Sequence, residues 1–88
     1  MEIQAARWLT YHAAWLSDQG RECLKEAAMA KLCSSEASQH VTSEAMHIHG
    51  GYALMEGSPI ERYFRDAKVT EIYEGTSEIQ KIVISKQL

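Results

Sequence analysis

The sequence predicts an all-α protein with an antiparallel four-helix, bundle-like arrangement, and three observations support this fold class. Proline is absent from the first 49 residues, which contain Gly20 as their only glycine. Apolar residues recur at helical spacing on both sides of that glycine. The dipeptide Gly50-Gly51 and the single proline, Pro59, then divide the second half into shorter segments that can each begin a helix.

The first two helices follow from apolar spacing. A stripe at 3-4-3 spacing predicts an amphipathic helix over about residues 2–18, and Gly20 is a natural C-terminal stop. The stripe comprises Ala6, Leu9, Ala13 and Leu16. A longer helix is expected over about residues 22–48, with a face of mostly small residues that lets a partner helix approach closely. That face comprises Ala27, Ala30, Ser34, Ala37, Val41, Ala45 and Ile48.

Two shorter helices are expected after the double glycine. The run Ser58-Pro59-Ile60-Glu61 favours a helix start, because it offers a hydroxyl cap, a proline at the first position and a glutamate three residues after the cap. Residues 69–73 fit neither regular state well and are expected to form an extended connection. Thr76 or Ser77 then caps a final helix.

Composition excludes several classes of function. The formal net charge is −3 and no basic stripe is present, which argues against nucleic-acid binding. No apolar run approaches the ~20 residues of a membrane span, and the N-terminus lacks a signal-peptide pattern, so a soluble intracellular location is expected. Cys23 and Cys33 are expected on one helix about 15 Å apart, too far for a disulfide.

The sequence carries more large apolar side chains than a helical hairpin needs. Trp8, Trp15, Met29 and Met46 contribute to this excess, together with the tyrosines and Phe64. Because so short a chain has a limited interior, part of this surface is expected to face another domain or another copy of the chain. Complete burial within one compact bundle is the alternative.

The most informative motif is Tyr73-Glu74-Gly75-Thr76-Ser77-Glu78-Ile79-Gln80, where a carboxylate precedes a glycine and a helix start. Together with Gly50-Gly51-Tyr52 and the run from Pro59 to Lys68, it closely resembles the C-terminal end of the flavin-dependent acyl-CoA dehydrogenases. The resemblance covers essentially all 88 residues. It implies that residues 1–88 form the C-terminal helical domain, with the family's N-terminal helical and middle β-domains absent from this sequence.

The resemblance implies that Glu74 is the catalytic base. A lone glutamate in a loop is usually a solvated surface group, but the base of these enzymes stands in this motif. It removes the α-proton of an acyl-CoA thioester while a hydride leaves the β-carbon for FAD. Gly75 leaves room for the thioester, and Tyr73 lines the acyl pocket or simply holds the loop. A glutamate here favours a short-, medium- or branched-chain enzyme.

Two segments match flavin-binding positions of the family. Thr76, Ser77 and Glu78 match residues that touch the flavin, although helix capping alone would also explain them. His47, Gly50 and Gly51 match a loop that contacts the FAD of a neighbouring subunit.

This second segment departs from the family pattern at two positions. His47 stands where Gln is usual and Ala53 where Gly is usual, so the flavin contacts of the loop differ in detail. No metal site is expected, because histidines two apart on a helix do not face each other.

The resemblance also implies partners and a location. The implied cofactor is FAD, the substrate is an acyl-CoA, and the redox partner is an electron-transferring flavoprotein. The chain is expected to form a homo-oligomer, which is a tetramer in the full-length family. The expected location is the bacterial cytoplasm or the mitochondrial matrix. Arg65-Asp66 is expected to fix the third helix against the loop that bears Glu74. The isolated chain is expected to be inactive. The alternatives are a non-catalytic, self-associating helical module, or part of an acyl-CoA oxidase or a decarboxylating dehydrogenase.

Overall fold

The computed structural model describes residues 1–51, 55 and 57–88, and in these residues it contains four α-helices and no β-strand. The helices are α1 (Glu2–Asp18), α2 (Leu24–His49), α3 (Pro59–Thr70) and α4 (Ser77–Gln87). The all-α prediction is therefore confirmed. Tyr52 and Ala53, which belong to the motif after α2, lie outside the described residues.

Gly20 ends α1 as the sequence predicts. It has a φ of 71°, and its N–H donates to the Ser17 carbonyl at 3.0 Å. The Arg21 N–H reaches back to the Leu16 carbonyl, also at 3.0 Å. This pair of bonds is a Schellman motif, which satisfies carbonyls that the helix leaves without partners.

The long helix α2 is the centre of the fold. It packs against α1, α3 and α4, and across the described part of the chain the backbones of these other three helices do not approach one another closely. The α1–α2 hairpin is antiparallel, since Glu2 at the start of α1 bonds His40 and Thr10 lies beside Ser34. Because α2 is the longest helix, the molecule is elongated, with extents of 46 × 22 × 19 Å.

The predicted contact face of α2 is only partly correct. Ala30 and Ala37 are buried as expected, whereas Ile48 is 83% exposed. Ala28 and Ser35, which fall outside the predicted face, are buried. A helix surrounded by three partners buries more than one stripe, so a single 3.6-residue period describes it poorly.

The expected extended connection at residues 69–73 is wrong. Val69 and Thr70 complete α3, and residues 71–74 form turns that leave the helix through bonds to its last carbonyls. Ser58 does precede α3, but its hydroxyl makes no capping bond. Glu61 instead pairs with Arg65 at 2.7 Å, one helical turn later, so the predicted capping box does not form.

The core of the described residues is thin and built mostly from alanines. The buried apolar residues are Ala6, Leu16, Ala28, Ala30, Ala37 and Ala67. On the outer side of α1, Trp8, Tyr11 and Trp15 are each more than half exposed. Among the described helices, none is both long and apolar enough to cross a membrane.

Candidate functional site

Glu74 lies in the turn between α3 and α4, and its backbone conformation is unusual. Its φ is 55°, the only positive φ of a non-glycine residue in the described part of the chain. Gly75 follows with a φ of 98°. A left-handed L-residue costs about 1–2 kcal/mol, so surrounding contacts must hold it in place. Two consecutive left-handed residues turn the chain sharply and leave the Glu74 side chain exposed.

Backbone and side-chain bonds close this turn at both ends. The Tyr73 N–H donates to the Val69 carbonyl, and the Ser77 N–H donates to the Glu71 carbonyl, each at 3.1 Å. The Thr76 hydroxyl accepts from the Ile79 N–H at 3.2 Å and caps α4. Of the two caps that the sequence allowed, Thr76 is therefore the one that forms.

Lys31 is a site residue that the sequence reasoning missed. From the first third of α2 its ammonium donates to the Thr70 carbonyl and, at 2.9 Å, to the Gly75 carbonyl. It also lies 5.7 Å from the centroid of the Tyr73 ring, within the range of a cation–π contact. A signal was present, because Lys31 interrupts a run of small and apolar residues on a helix flank that should be buried.

Gln80 holds the same turn from the side of α4. Its amide nitrogen lies 3.3 Å from the Glu74 carbonyl and 3.4 Å from the Gly75 carbonyl. The same atom would lie 2.5 Å from a Cβ added at Gly75. The backbone conformation at a φ of 98° therefore favours glycine here, and an added Cβ would also displace the end of the Gln80 side chain.

The contacts of Arg65 and Asp66 do not support their expected role in fixing α3 against the loop that bears Glu74. Arg65 pairs with Glu61 on its own helix, and its side chain is 74% exposed. Asp66 is exposed as well. The connection from the helical core to the Glu74 turn is made by Lys31 instead.

The structure brings together one group of predicted site residues. Tyr73, Glu74, Gly75 and Thr76 are consecutive in the turn, and Glu78 is exposed in the first turn of α4. The Ser77 hydroxyl is buried without a hydrogen-bond partner among the described residues. The turn thus combines an exposed carboxylate and an exposed aromatic ring with the N-terminus of a helix.

The second predicted group lies far from the first. His47 and Gly50 stand at the C-terminal end of α2 and line a cavity of about 410 Å³ with Phe64. At a rise of about 1.5 Å per residue, Gly50 is about 28 Å along α2 from Lys31, which contacts the Glu74 turn. One chain therefore presents its two candidate flavin-contacting segments at well-separated places.

The remaining candidate sites offer fewer reactive side chains. A cavity of about 630 Å³ between α1, α2 and α4 is larger, but mainly apolar side chains line it and Glu74 does not. Cys23 and Cys33 are both free thiols. Within residues 1–51, 55 and 57–88, no cluster of three or more potential metal ligands occurs.

Comparisons with known proteins assign the whole chain to one family. The family description "Acyl-CoA dehydrogenase, C-terminal domain" matches residues 1–88. The chain is 54% identical over 85 residues to an acyl-CoA dehydrogenase of Bacillus subtilis, covering 97% of this chain and 22% of that protein. It is 55% identical over 84 residues to an acryloyl-CoA reductase (NADH) of Anaerotignum propionicum, covering 96% and 21%.

A solved structure agrees with these sequence matches. The chain superposes on the butyryl-CoA dehydrogenase of Megasphaera elsdenii with a TM-score of 0.96 and 45% identity, covering 99% of this chain and 23% of that one. This chain thus spans about a fifth of the length of the curated relatives it matches.

Proposed function

The chain belongs to the acyl-CoA dehydrogenase family, and from that premise we propose that residues 1–88 supply the base-bearing C-terminal domain of an enzyme that oxidises an acyl-CoA thioester to the 2-enoyl-CoA. The N-terminal helical and middle β-domains of such an enzyme would lie outside this sequence. The observation that carries the proposal is the position of Glu74. Its carboxylate is exposed on a sharply turned, tethered segment, where a substrate can reach it.

Glu74 would act as a general base toward the α-carbon of the thioester. A bound acyl chain would exclude water from the turn, and the loss of that hydration would make the carboxylate a stronger base. Its own N–H would donate to the thioester carbonyl and stabilise the negative charge that develops there. Tyr73 and Gly75 would flank the acyl group, and the glycine would allow close approach of the thioester.

The residues present fit the edges of a flavin site. Thr76 and Glu78 stand at the start of α4, where the positive end of the helix dipole suits an anionic or polar ligand. Gly50 and Gly51 are open to approach, since a Cβ at either would meet no atom of the described residues within 4 Å. FAD, when bound, would supply the acceptor for the β-hydride.

The two flavin-contacting segments of one chain would contact two different FAD molecules. Because Gly50 lies about 28 Å along α2 from Lys31, which contacts the Glu74 turn, His47, Gly50 and Gly51 of one chain would contact the FAD of a neighbouring chain. This arrangement supports a homo-oligomer, and an electron-transferring flavoprotein would then reoxidise the cofactor.

The likeness to an acryloyl-CoA reductase favours a second candidate, the reverse reaction. In that direction the protonated Glu74 would return a proton to the α-carbon of an enoyl-CoA. The same residues serve both directions, and the remaining domains would set the preferred one. Dioxygen as the electron acceptor would identify the acyl-CoA oxidase alternative.

The test is a chimaera in which these 88 residues replace the matching segment of the Bacillus subtilis acyl-CoA dehydrogenase. We expect the chimaera to bind FAD and oxidise acyl-CoA, and we expect Glu74→Gln to lower kcat by at least about 10³-fold with FAD retained, because the amide cannot accept the proton. Exchange of the α-hydrogen in D₂O would measure proton abstraction directly. A Glu74→Gln chimaera with unchanged exchange and turnover would exclude Glu74 as the base.

A further inference from the structure

Lys31 joins the core of the fold to both sides of Glu74. It is half-buried on α2, and its ammonium donates to the carbonyls of Thr70 and Gly75, which bracket the turn. The same ammonium lies over the ring of Tyr73. The residues immediately before and after Glu74 therefore both contact one side chain from a different helix.

The chemistry of these contacts explains why a lysine suits the position. Thr70 is the last residue of α3, where carbonyls lack helical partners and the helix dipole is negative. Within the described residues no carboxylate pairs with Lys31, so carbonyl dipoles and an aromatic face balance its charge. Exchange for an apolar side chain would remove the cation from the end of α3 and a donor from Gly75.

We propose that Lys31 is a positioning residue that fixes the Glu74 carboxylate by anchoring the turn at Thr70, Tyr73 and Gly75. This inference rests on the proposed function of Glu74, and it assigns Lys31 no contact with substrate or cofactor. A turn anchored at both ends has fewer accessible conformations, so less ordering remains when the substrate binds. The left-handed conformation of Glu74 depends on such anchoring.

Amide hydrogen exchange of the 88-residue chain tests the anchoring without any activity. The Tyr73 and Ser77 amides report on the turn, and the Arg21 amide of the Schellman motif reports on the distant hairpin. Lys31→Met retains most of the apolar stem but removes the donors. We expect exchange at Tyr73 and Ser77 to become at least about 10-fold faster, with Arg21 unchanged.

The control is Lys86→Met, an exposed lysine in the last turn of α4. It should leave all three amides unchanged. Unaltered exchange at Tyr73 and Ser77 in Lys31→Met would overturn the proposal. Equal acceleration at Arg21 would overturn it too, because Lys31 would then support the whole fold rather than the turn.

Kinetics of the chimaera test the consequence for catalysis. We expect Lys31→Met to lower kcat by about 10- to 100-fold while KM changes by less than about 2-fold, since displacing a reacting group by about 1 Å has effects of this size. Lys31→Arg retains the charge and the donors and should restore part of kcat.

The Glu74→Gln chimaera separates the two hypotheses. If Glu74→Gln abolishes turnover and Lys31→Met does not lower it, the positioning role fails and the base assignment stands. If Glu74→Gln leaves turnover intact, the proposed function fails first, and the exchange data alone then decide whether Lys31 anchors the turn.

Discussion

At the scale of single residues, Glu74 combines an exposed carboxylate with a left-handed backbone. Its sequence neighbours identify it as a candidate base, but its backbone conformation is a property of the folded turn. A strained non-glycine residue at a predicted catalytic position is consistent with a turn shaped for function rather than for stability. The contacts of Lys31 and Gln80 keep that conformation in place.

A second residue-scale feature is the pair between His40 and Glu2. The Glu2 carboxylate lies 2.6 Å from Nδ1 of His40, and Glu44 lies 3.6 Å from Nε2. The hydrogen bond to Glu2 and its charge raise the pKa of His40 above 6.5, with a smaller contribution from Glu44. The pair ties the start of α1 to α2.

We predict that Glu2→Gln lowers the pKa of His40 more than Glu44→Gln does, as measured by NMR titration of the imidazole. Because the folded-state pKa is raised, the pair stabilises the fold below pH ~6.5, and this contribution disappears as pH rises through the folded-state pKa. The stability difference between wild type and Glu2→Gln should therefore shrink from pH 6 to pH 9. An equal fall in the pKa of His40 in both variants would contradict the assignment of the main effect to Glu2.

At the scale of secondary-structure elements, the α3–α4 turn and the α1–α2 turn differ in kind. The α1–α2 turn is a Schellman motif formed by local backbone bonds alone. The α3–α4 turn adds side chains from outside the turn, Lys31 from α2 and Gln80 from α4. A turn that depends on tertiary contacts can hold a conformation that its own sequence would not adopt.

The prediction at this scale concerns Gly75. We expect Gly75→Ala to lower the free energy of unfolding by about 1–3 kcal/mol, because alanine is strained at a φ of 98° and its Cβ would displace the Gln80 amide. Gly51→Ala is the matched control, since no atom of the described residues lies within 4 Å of the added Cβ, and it should be close to neutral. Urea denaturation of the two variants measures both values, and equal values would show that the turn tolerates a side chain at Gly75.

At the scale of the whole molecule, three helices depend on α2 for their packing. The resulting core is small and consists mainly of alanine side chains, while Trp8 and Trp15 are 63% and 52% exposed. The large exposed rings agree with the expectation of surplus apolar surface. Coverage of these rings by another domain or another copy of the chain stays a prediction.

We predict that the isolated 88-residue chain turns over no acyl-CoA, because the separated flavin-contacting segments and Glu74 form only parts of a site. The measurement is a visible absorption spectrum after incubation with FAD and removal of free ligand. A colourless protein with stable helical circular dichroism is the expected result. Anaerobic bleaching of added flavin by acyl-CoA with this chain alone would contradict the prediction.

Features that depend on local interactions could be predicted from the sequence, whereas features that depend on packing between helices could be predicted only in part. The α1 stop at Gly20 and a hydroxyl cap of α4 at Thr76 or Ser77 were predictable, because each depends on residues within a few positions. The buried face of α2 was only partly predictable, because one period cannot describe contacts with three partners. The end of α3 was missed because Val69 and Thr70 have weak helix propensity and gain their helical state in the folded context.

By itself, the sequence determined the all-α class, the order of the helices and the motif that carries Glu74, since helical periodicity and short turn signals are local. Only the tertiary structure decided how Glu74 is held. Lys31 is 43 positions from Glu74 in the chain (74 − 31), yet it contacts the turn because α2 packs alongside α3 and α4. The separation of His47 and Gly50 from the Glu74 turn was likewise decided by packing, since it follows from where α3 and α4 lie along α2.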